Sequence, residues 1–227
     1  MTEQTTTEEQ SAIESSNQEL ETPVSATTGL IEKPATFSDY SGPIAVIIIV
    51  LILDQWLKYW VKTHMFIGEE RTLIGSWAKI HFIENNGIAF GGHLPGAMGK
   101  FFLTSFRIVA ASAIFWYLMR LIQRGFSRGL IYAGALVFAG AAGNIIDSIF
   151  YGVWFKNINL YEGGWFFGQV VDMLYFPIIR GHFPSWVPMV GTHPFAFFRP
   201  VFNISDSSIT AGILLIILFF RKSLKDL

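Results

Sequence analysis

Long apolar stretches separated by short polar segments form the main pattern of this sequence. A helix that crosses about 30 Å of hydrocarbon needs roughly 20 apolar residues. Four stretches approach this length, and they predict membrane spans at about 43–62, 100–122, 130–151 and 205–221. The first span is long enough only if Asp54 and Lys58 lie inside it. Because positions i and i+4 share one helical face, we predict an ion pair between them and not a direct catalytic role.

The segment between the first two spans has a different period. In residues 77–90, apolar Ile80 and Phe82 alternate with polar neighbours, and the pair Asn86-Gly87 then signals a turn. Alternation of this kind is typical of a half-buried strand. We therefore predict a small β element on the membrane surface.

Basic residues indicate the orientation. Arg120, Arg124 and Arg128 crowd the loop between the second and third spans, and another basic group follows the last span (Arg221, Lys222 and Lys225). Loops rich in Lys and Arg face the cytoplasm. Four spans then place both termini in the cytoplasm, and the segments 63–98 and 152–199 on the outer side.

The outer segment 152–199 combines many aromatic residues with glycine and proline. Aromatic rings favour the headgroup region, so we expect this loop to lie along the outer leaflet. The predicted fold class is a membrane all-α protein with four transmembrane helices, a small extracytoplasmic β element and a long aromatic-rich outer loop.

The composition supports a membrane protein. Of 227 residues, 52% are hydrophobic, 16% aromatic and only 15% charged, which is unusual for a soluble domain. The absence of cysteine excludes disulfides, thiolate metal sites and a thiol nucleophile. Three histidines (His64, His81 and His93) lack the spacing of a metal site, so no metal is predicted.

The first 40 residues differ from the rest of the chain. They hold eight acidic residues and one lysine, a net charge of −7, which leaves +6 for the remainder because the whole chain carries −1. Such a polar composition buries too little apolar surface to offset the entropy of ordering. We predict a disordered acidic tail at 1–40 and one membrane domain at 41–227.

The third span contains many small residues, among them Gly134, Gly140 and Gly143. Small side chains let helices approach closely in lipid, so tight contact with a neighbouring helix is expected. Asn144 and Asp147 follow on roughly one face. They form either a structural hydrogen-bonded pair or part of a site, and the sequence leaves both interpretations open.

Two further carboxylates, Asp172 and Asp206, lie in apolar surroundings beside predicted spans. A carboxylate in lipid must face water, find a partner or carry a shifted pKa, so both are candidates for acid–base chemistry. Two such groups can hydrolyse a peptide if one is ionised and the other is protonated. The structural alternative is that Asp206 caps the last helix while Asp172 faces water.

Five motifs occur in one order along the chain: D-Q-x-x-K at Asp54–Lys58, N-x-G-x-A-F at Asn85–Phe90, G-N-x-x-D at Gly143–Asp147, V-V-D at Val170–Asp172 and F-N-x-x-D-S at Phe202–Ser207. Each motif is weak alone. Together they cover nearly all of residues 43–222 and resemble lipoprotein signal peptidase, the type II signal peptidase of bacteria.

The resemblance implies an aspartic peptidase of the bacterial inner membrane that removes signal peptides from diacylglyceryl-modified prolipoproteins. By motif position, Asp172 and Asp206 are the catalytic pair. Other matches divide into residues that line or support the site (Asn85, Asn144 and Asn203) and residues of structural role (Asp54, Lys58, Gly87 and Asp147). No metal or cofactor is implied. The expected partners are the prolipoprotein and membrane phospholipid, without nucleic acid, and the expected state is a monomer.

The chain departs from the family pattern at several positions. Ser148 stands where the family usually has arginine, and Ser205 replaces an alanine. The segments Ser148–Gln169 and Met173–Pro200 are longer than usual. Arg107 lies near the outer end of the second span, where we expect it to snorkel to lipid phosphates and not to pair with a carboxylate.

A small transporter or proton-relay protein is the alternative function, because intramembrane carboxylates also carry ions. The sequence shows neither an internal repeat nor a pair of broken spans, which favours the peptidase.

Overall fold

The computed structural model of the chain describes residues 36–86, 96–182, 184–186, 188–189, 191–197 and 200–221. Its main helices are α1 (Phe37–His64), α2 (Gly96–Gln123), α3 (Arg128–Ile146) and α4 (Ile204–Leu215). A π-helical turn (Asp147–Tyr151) and a short helical turn (Gly152–Trp154) continue α3, and a second π-helical turn (Ile216–Phe220) continues α4.

Within the described ranges, three helices are long and apolar enough to cross a membrane: Phe37–His64, Met98–Gln123 and Arg128–Trp154. A shorter apolar helix, Ile204–Phe220, combines 12 residues of α-helix with 5 of π-helix. At 1.5 Å per residue it is about 25 Å long, slightly less than the hydrocarbon thickness. The chain is thus a mostly helical membrane protein with three to four apolar helices.

The first helix begins at Phe37, inside the segment predicted as a disordered tail at 1–40. Its start is fixed by Asp39, which we had counted among the acidic residues of the tail. The amide and hydroxyl of Thr36 both donate to Asp39 Oδ2 at 2.8 Å, which caps the helix. The prediction of disorder is therefore wrong for residues 37–40, which are helical, and residues 1–35 lie outside the described ranges.

Helix α3 packs against each of the other three helices. Its closest approach is to α4, where Gly140 and Gly143 face Ser205 and a β-carbon on either glycine would overlap atoms of that residue. From the other side, Gly212 of α4 fits against α3. The tight packing predicted for the small residues of the third span is confirmed.

The predicted β element is confirmed and belongs to a larger sheet. Strands β1 (Glu70–Ile74), β2 (Ala78–Asn85), β3 (Val170–Tyr175) and β6 (Val201–Phe202) form an antiparallel sheet in the order β1-β2-β3-β6. A separate hairpin pairs β4 (Ile179–His182) with β5 (Pro194–Phe197). Segment 152–199, predicted as an outer loop, thus supplies three of the six strands found in the described residues. Gly87 lies outside the described residues.

The sheet is attached to the helices through its buried face. On β2, Ala78, Ile80 and Phe82 are buried, as the alternation predicted. Ile80 and Phe82 join an apolar cluster with the end of α1 and the turns that follow α3. A salt bridge between Lys62 of α1 and Glu84 of β2 adds a second link. The apolar strand face therefore fixes β2 and β3 over the helix ends.

The π-helical turn after α3 has a specific cause. Two of its backbone carbonyls accept hydrogen bonds from the following loop: Ser148 from the Gly168 amide at 2.9 Å and Ile149 from the Phe166 amide at 3.1 Å. A β-carbon at Gly168 would overlap the Asp147 carbonyl, so only glycine permits this approach. The longer segment after Asp147 thus binds the helix end and leads directly into β3.

Candidate active site

Asp172 lies on the inner strand β3, opposite Ile83 of β2. Only 2% of it is exposed, so the alternative that it faces water is wrong. Two amides donate to its carboxylate: Asn203 Nδ2 to Oδ1 at 2.7 Å and Asn85 Nδ2 to Oδ2 at 3.2 Å. Burial, and then the negative charge of Asp206, raise the pKa of Asp172 to about 7. This carboxyl therefore exchanges its proton near neutral pH.

Asp206 lies in the first turn of α4, where Asn203 is the N-cap residue. The two form a reciprocal cap: the Asp206 amide donates to Asn203 Oδ1 at 2.9 Å, and the Asn203 amide donates to Asp206 Oδ2 at 3.2 Å. Asn144 Nδ2 donates to the other oxygen, Oδ1, at 2.8 Å. Negative charge is favourable at a helix N-terminus. The predicted capping contact is therefore present, and it also fixes the orientation of the carboxylate.

Asn203 connects the two carboxyl groups. It is fully buried and bonds Asp172 through its side chain and Asp206 through its backbone amide. Its side chain also donates to Asn144 Oδ1 at 3.1 Å, which in turn accepts from Lys58 Nζ at 3.0 Å. The Asn144 side chain is therefore bonded directly to Asp206 and is linked to Asp172 through Asn203.

Beneath the pair lies a buried ion cluster. Lys58 Nζ is 2.8 Å from both Asp54 and Asp147, and all three side chains are fully buried. The predicted i, i+4 ion pair is thus confirmed. Asp54 Oδ1, the oxygen that Lys58 leaves, accepts the backbone amide of Ser205 at 2.8 Å, and Asp147 Oδ2, which also contacts Lys58, accepts that of Val171 at 3.2 Å. Each amide lies one residue before a candidate catalytic aspartate, so the cluster positions both.

The profile of the family described as signal peptidase (SPase) II matches residues 46–221 of this chain, which include every one of these side chains. The chain belongs to the signal peptidase II family. As a member of that family it is a peptidase, which decides against the transporter alternative.

Individual proteins support the assignment. A lipoprotein signal peptidase of Porphyromonas gingivalis is 43% identical over 190 residues, covering 79% of this chain and 82% of that protein. One from Amoebophilus asiaticus is 38% identical over 185 residues, covering 80% and 78%. A bacterial membrane enzyme solved by the in meso method at 2.3 Å resolution aligns with a TM-score of 0.57 and 27% identity, covering 86% of this chain and 95% of its own.

Side chains from all five motifs of this signal peptidase II meet at one end of the helix bundle. The side chains of Asp54, Asp147, Asp172 and Asp206 are linked through Asn144, Asn203 and Lys58, while Asn85 reaches the group from β2. In the part of the chain that the structure describes, no group of three or more His, Cys, Asp or Glu residues is arranged to hold a metal ion.

The structure corrects the interpretation of Arg107. Snorkelling to lipid phosphates was expected, but the side chain is partly buried and its Nη1 donates to Ser148 Oγ at 2.9 Å. Ser148 itself is fully buried beside the site. The guanidinium therefore points into the protein because a polar partner lies there, which the sequence of α2 alone does not show.

Sequence reasoning also assigned no role to Gln55, although it lies within the first motif. Its Nε2 donates to Asp147 Oδ1 at 2.9 Å and its Oε1 accepts from Tyr151 at 3.0 Å. A glutamine next to an aspartate in an apolar span can indicate a buried polar cluster. Its amide donates to a carboxylate oxygen that a single lysine leaves without a partner.

Proposed function

We propose that this signal peptidase II is an aspartic endopeptidase that removes signal peptides from diacylglyceryl-modified prolipoproteins, with Asp172 and Asp206 activating water. The main support for the proposal is that both carboxyl groups accept hydrogen bonds from one buried asparagine, Asn203. The relatives from Porphyromonas gingivalis and Amoebophilus asiaticus bear the name lipoprotein signal peptidase, which supports the substrate class.

The environments of the two acids support different roles. Asp172 is the more buried and has a pKa of about 7, so it is the candidate to hold the proton. Asp206 receives two N–H donors at a helix N-terminus, a favourable place for a carboxylate. In the proposal the two acids share one proton, and the two roles describe where that proton lies.

In the proposed reaction, ionised Asp206 takes a proton from water as the water oxygen attacks the scissile carbonyl carbon. Protonated Asp172 gives its proton to the carbonyl oxygen, which yields a tetrahedral diol. Asp206 then delivers its proton to the peptide nitrogen as the C–N bond breaks. One diol proton returns to Asp172, so a carboxylic acid and an amine leave and the pair recovers its starting state.

We infer that the protein lies in the bacterial inner membrane with both termini in the cytoplasm and the site on the outer side. Helix α3 supports this topology, because Arg128 begins the helix beside the basic loop and Asn144 lies near its opposite end. Asp206 likewise begins α4, whereas Arg221 follows that helix. The site and the basic residues are thus at opposite ends of the bundle.

The substrate is tested with purified protein in phospholipid vesicles. We expect cleavage of a precursor whose cysteine carries diacylglycerol, and at least about 100-fold slower cleavage of the same precursor without the lipid, since burial of only three or four methylenes contributes this much. Mass spectrometry of the product should find the lipidated cysteine at the new N-terminus. Equal rates for the two precursors would contradict the lipid requirement, and intact lipidated precursor would contradict the function.

The topology is tested with single cysteines, since the chain contains none. Ser127→Cys lies in the exposed α2–α3 connection and Glu162→Cys in the exposed segment before β3. In spheroplasts, an impermeant maleimide should label position 162 and leave position 127 unlabelled until the membrane is opened. The opposite pattern would invert the topology.

A further inference from the structure

Arg107 contacts the candidate active site from α2, a helix that supplies none of the predicted site residues. Its Nη1 donates to Ser148 Oγ at 2.9 Å, and the same hydroxyl donates to the Asn144 backbone carbonyl at 2.9 Å. The Asn144 side chain in turn donates to Asp206. A continuous chain of hydrogen-bonded residues therefore joins the guanidinium to the carboxyl pair.

Arg107 is part of a polar stripe on α2. Lys100, Thr104 and Arg107 are spaced at i, i+4 and i+7, so they share one helical face. Thr104 Oγ1 donates to the Phe166 carbonyl at 3.1 Å, and Lys100 Nζ is 3.5 Å from Asn86 Oδ1. This face of α2 is thus directed toward the segments around the site and not toward lipid.

Arg107 adds a positive charge to a site that holds an excess of acidic side chains. If all were ionised, the four carboxylates (Asp54, Asp147, Asp172 and Asp206) would outnumber Lys58 by three. Lys58 is already bound between Asp54 and Asp147, at 2.8 Å from each. The charge of Arg107 acts most strongly on Asp206, then on Asp147 and Asp172. A partly buried arginine beside excess negative charge stabilises it.

We propose that Arg107 is a positioning residue for the proposed reaction, supplying from α2 the positive charge that stabilises the ionised state of the Asp172–Asp206 pair. The inference rests on the proposed function and adds a residue outside the five motifs. It also gives a role to Ser148, which directly follows the G-N-x-x-D motif: its small side chain leaves room for the guanidinium, and its hydroxyl accepts a hydrogen bond from Arg107.

Several other charged groups surround the pair and remain in place in the test. Helix α1 contributes Lys58 and Asp54, the π-helical turn after α3 contributes Asp147, and α2 contributes Lys100. On β2, Glu84 is paired with Lys62. Because these charged groups are the same in every variant, a change in the pH dependence of cleavage can be attributed to the replacement of Arg107.

The test compares two variants that separate charge from hydrogen bonding. Arg107→Gln keeps a donor for Ser148 but removes the charge, and Arg107→Lys keeps the charge. Without the positive charge the ionised carboxylates are less stable. Both limbs of the plot of kcat/KM against pH should therefore shift to higher pH. We expect a shift of about 0.5 to 1 pH unit for Arg107→Gln and an unmoved profile for Arg107→Lys.

Arg120→Gln is the matched control, because Arg120 is exposed on the same helix near its cytoplasmic end in the proposed topology. The profile of this variant should coincide with that of the wild type. An unmoved profile for folded Arg107→Gln would overturn the inference. If that variant does not fold, a displaced profile for Arg107→Lys would overturn it equally.

The outcomes separate this inference from the proposed function. Cleavage by the wild type, together with an unmoved Arg107→Gln profile, would contradict only the role of Arg107. A wild-type protein that leaves the lipidated precursor intact would contradict the function itself and, with it, the inference.

Discussion

Replacing either Asp172 or Asp206 with asparagine is expected to reduce cleavage of a lipidated precursor by about 100- to 10,000-fold, the range for loss of a general acid or base. Asparagine cannot take a proton from water or deliver one to the substrate. Its volume is nearly that of aspartate, so the surrounding packing is retained. The measurement is single-turnover cleavage by purified protein, with accumulation of diacylglyceryl-modified precursor in cells as the second readout.

Each substitution also changes hydrogen bonding, so folding must be measured in parallel. Both carboxylates accept two N–H donors, whereas asparagine offers only one acceptor oxygen. Asp39→Asn is the matched control: the same chemical change in the α1 cap, at an exposed position. We expect all three variants to remain folded and only the Asp39 variant to cleave normally. Near-normal cleavage by either of the other two would refute the assignment of the pair.

The part of this architecture that the sequence predicts is the part set by local patterns. Apolar length predicted the helices, alternation predicted β2, and the small residues of the third span predicted tight contact with a neighbouring helix, which the structure identifies as α4. The ion pair between Asp54 and Lys58 followed from their spacing on one helix. In each case the information lies within a few turns of chain, where periodicity and side-chain size act directly.

The meeting of Asp172 with Asp206 is of a different kind. It depends on the pairing of Leu174 with Phe202, which brings β6, and with it Asn203, beside β3. The intervening segment is rich in aromatics, glycine and proline, so it shows no clear alternation and was predicted as a loop. Only the family resemblance predicted that Asp172 and Asp206 lie close together, because no local sequence pattern encodes a contact between residues this far apart in the chain.

Arg107 shows the same limit in one residue. A lone arginine near the end of an apolar helix is compatible with snorkelling or with a buried partner. In the structure Arg107 binds Ser148, a residue of another segment. The position of Ser148 depends on the π-helical turn and on the loop that bonds to that turn. Polar side chains inside a membrane protein therefore need the packing of neighbouring helices before a partner can be assigned.

The ion cluster beneath the pair explains how four segments are held in one arrangement. Asp54 accepts the amide of Ser205, and Asp147 accepts that of Val171, while Lys58 binds both acids. Helices α1 and α4, the π-helical turn after α3 and strand β3 are thus joined through two carboxylates that share one lysine. Since each accepted amide precedes a candidate catalytic aspartate, a change in the cluster is transmitted to both through the backbone.

Lys58→Met is expected to destabilise the folded protein by about 3 to 5 kcal/mol, the usual effect of removing one partner of a buried ion pair. Methionine fills a similar volume but leaves Asp54 and Asp147 buried without their cation. The measurement is thermal or denaturant unfolding in detergent, with activity recorded on the fraction that remains folded. Lys79→Met is the matched control, since Lys79 pairs with Glu70 at the partly exposed edge of the sheet and its loss should cost at most about 1 kcal/mol.

A double variant separates the charge from the packing. Adding Asp54→Asn to Lys58→Met removes one of the two unbalanced carboxylates, so the double variant should recover part of the lost stability, as coupled sites do. If Lys58→Met were as stable as Lys79→Met, the cluster would not hold the bundle together. If instead Asp54→Asn made the Lys58 variant still less stable, the loss would come from packing around the lysine stem and not from uncompensated charge.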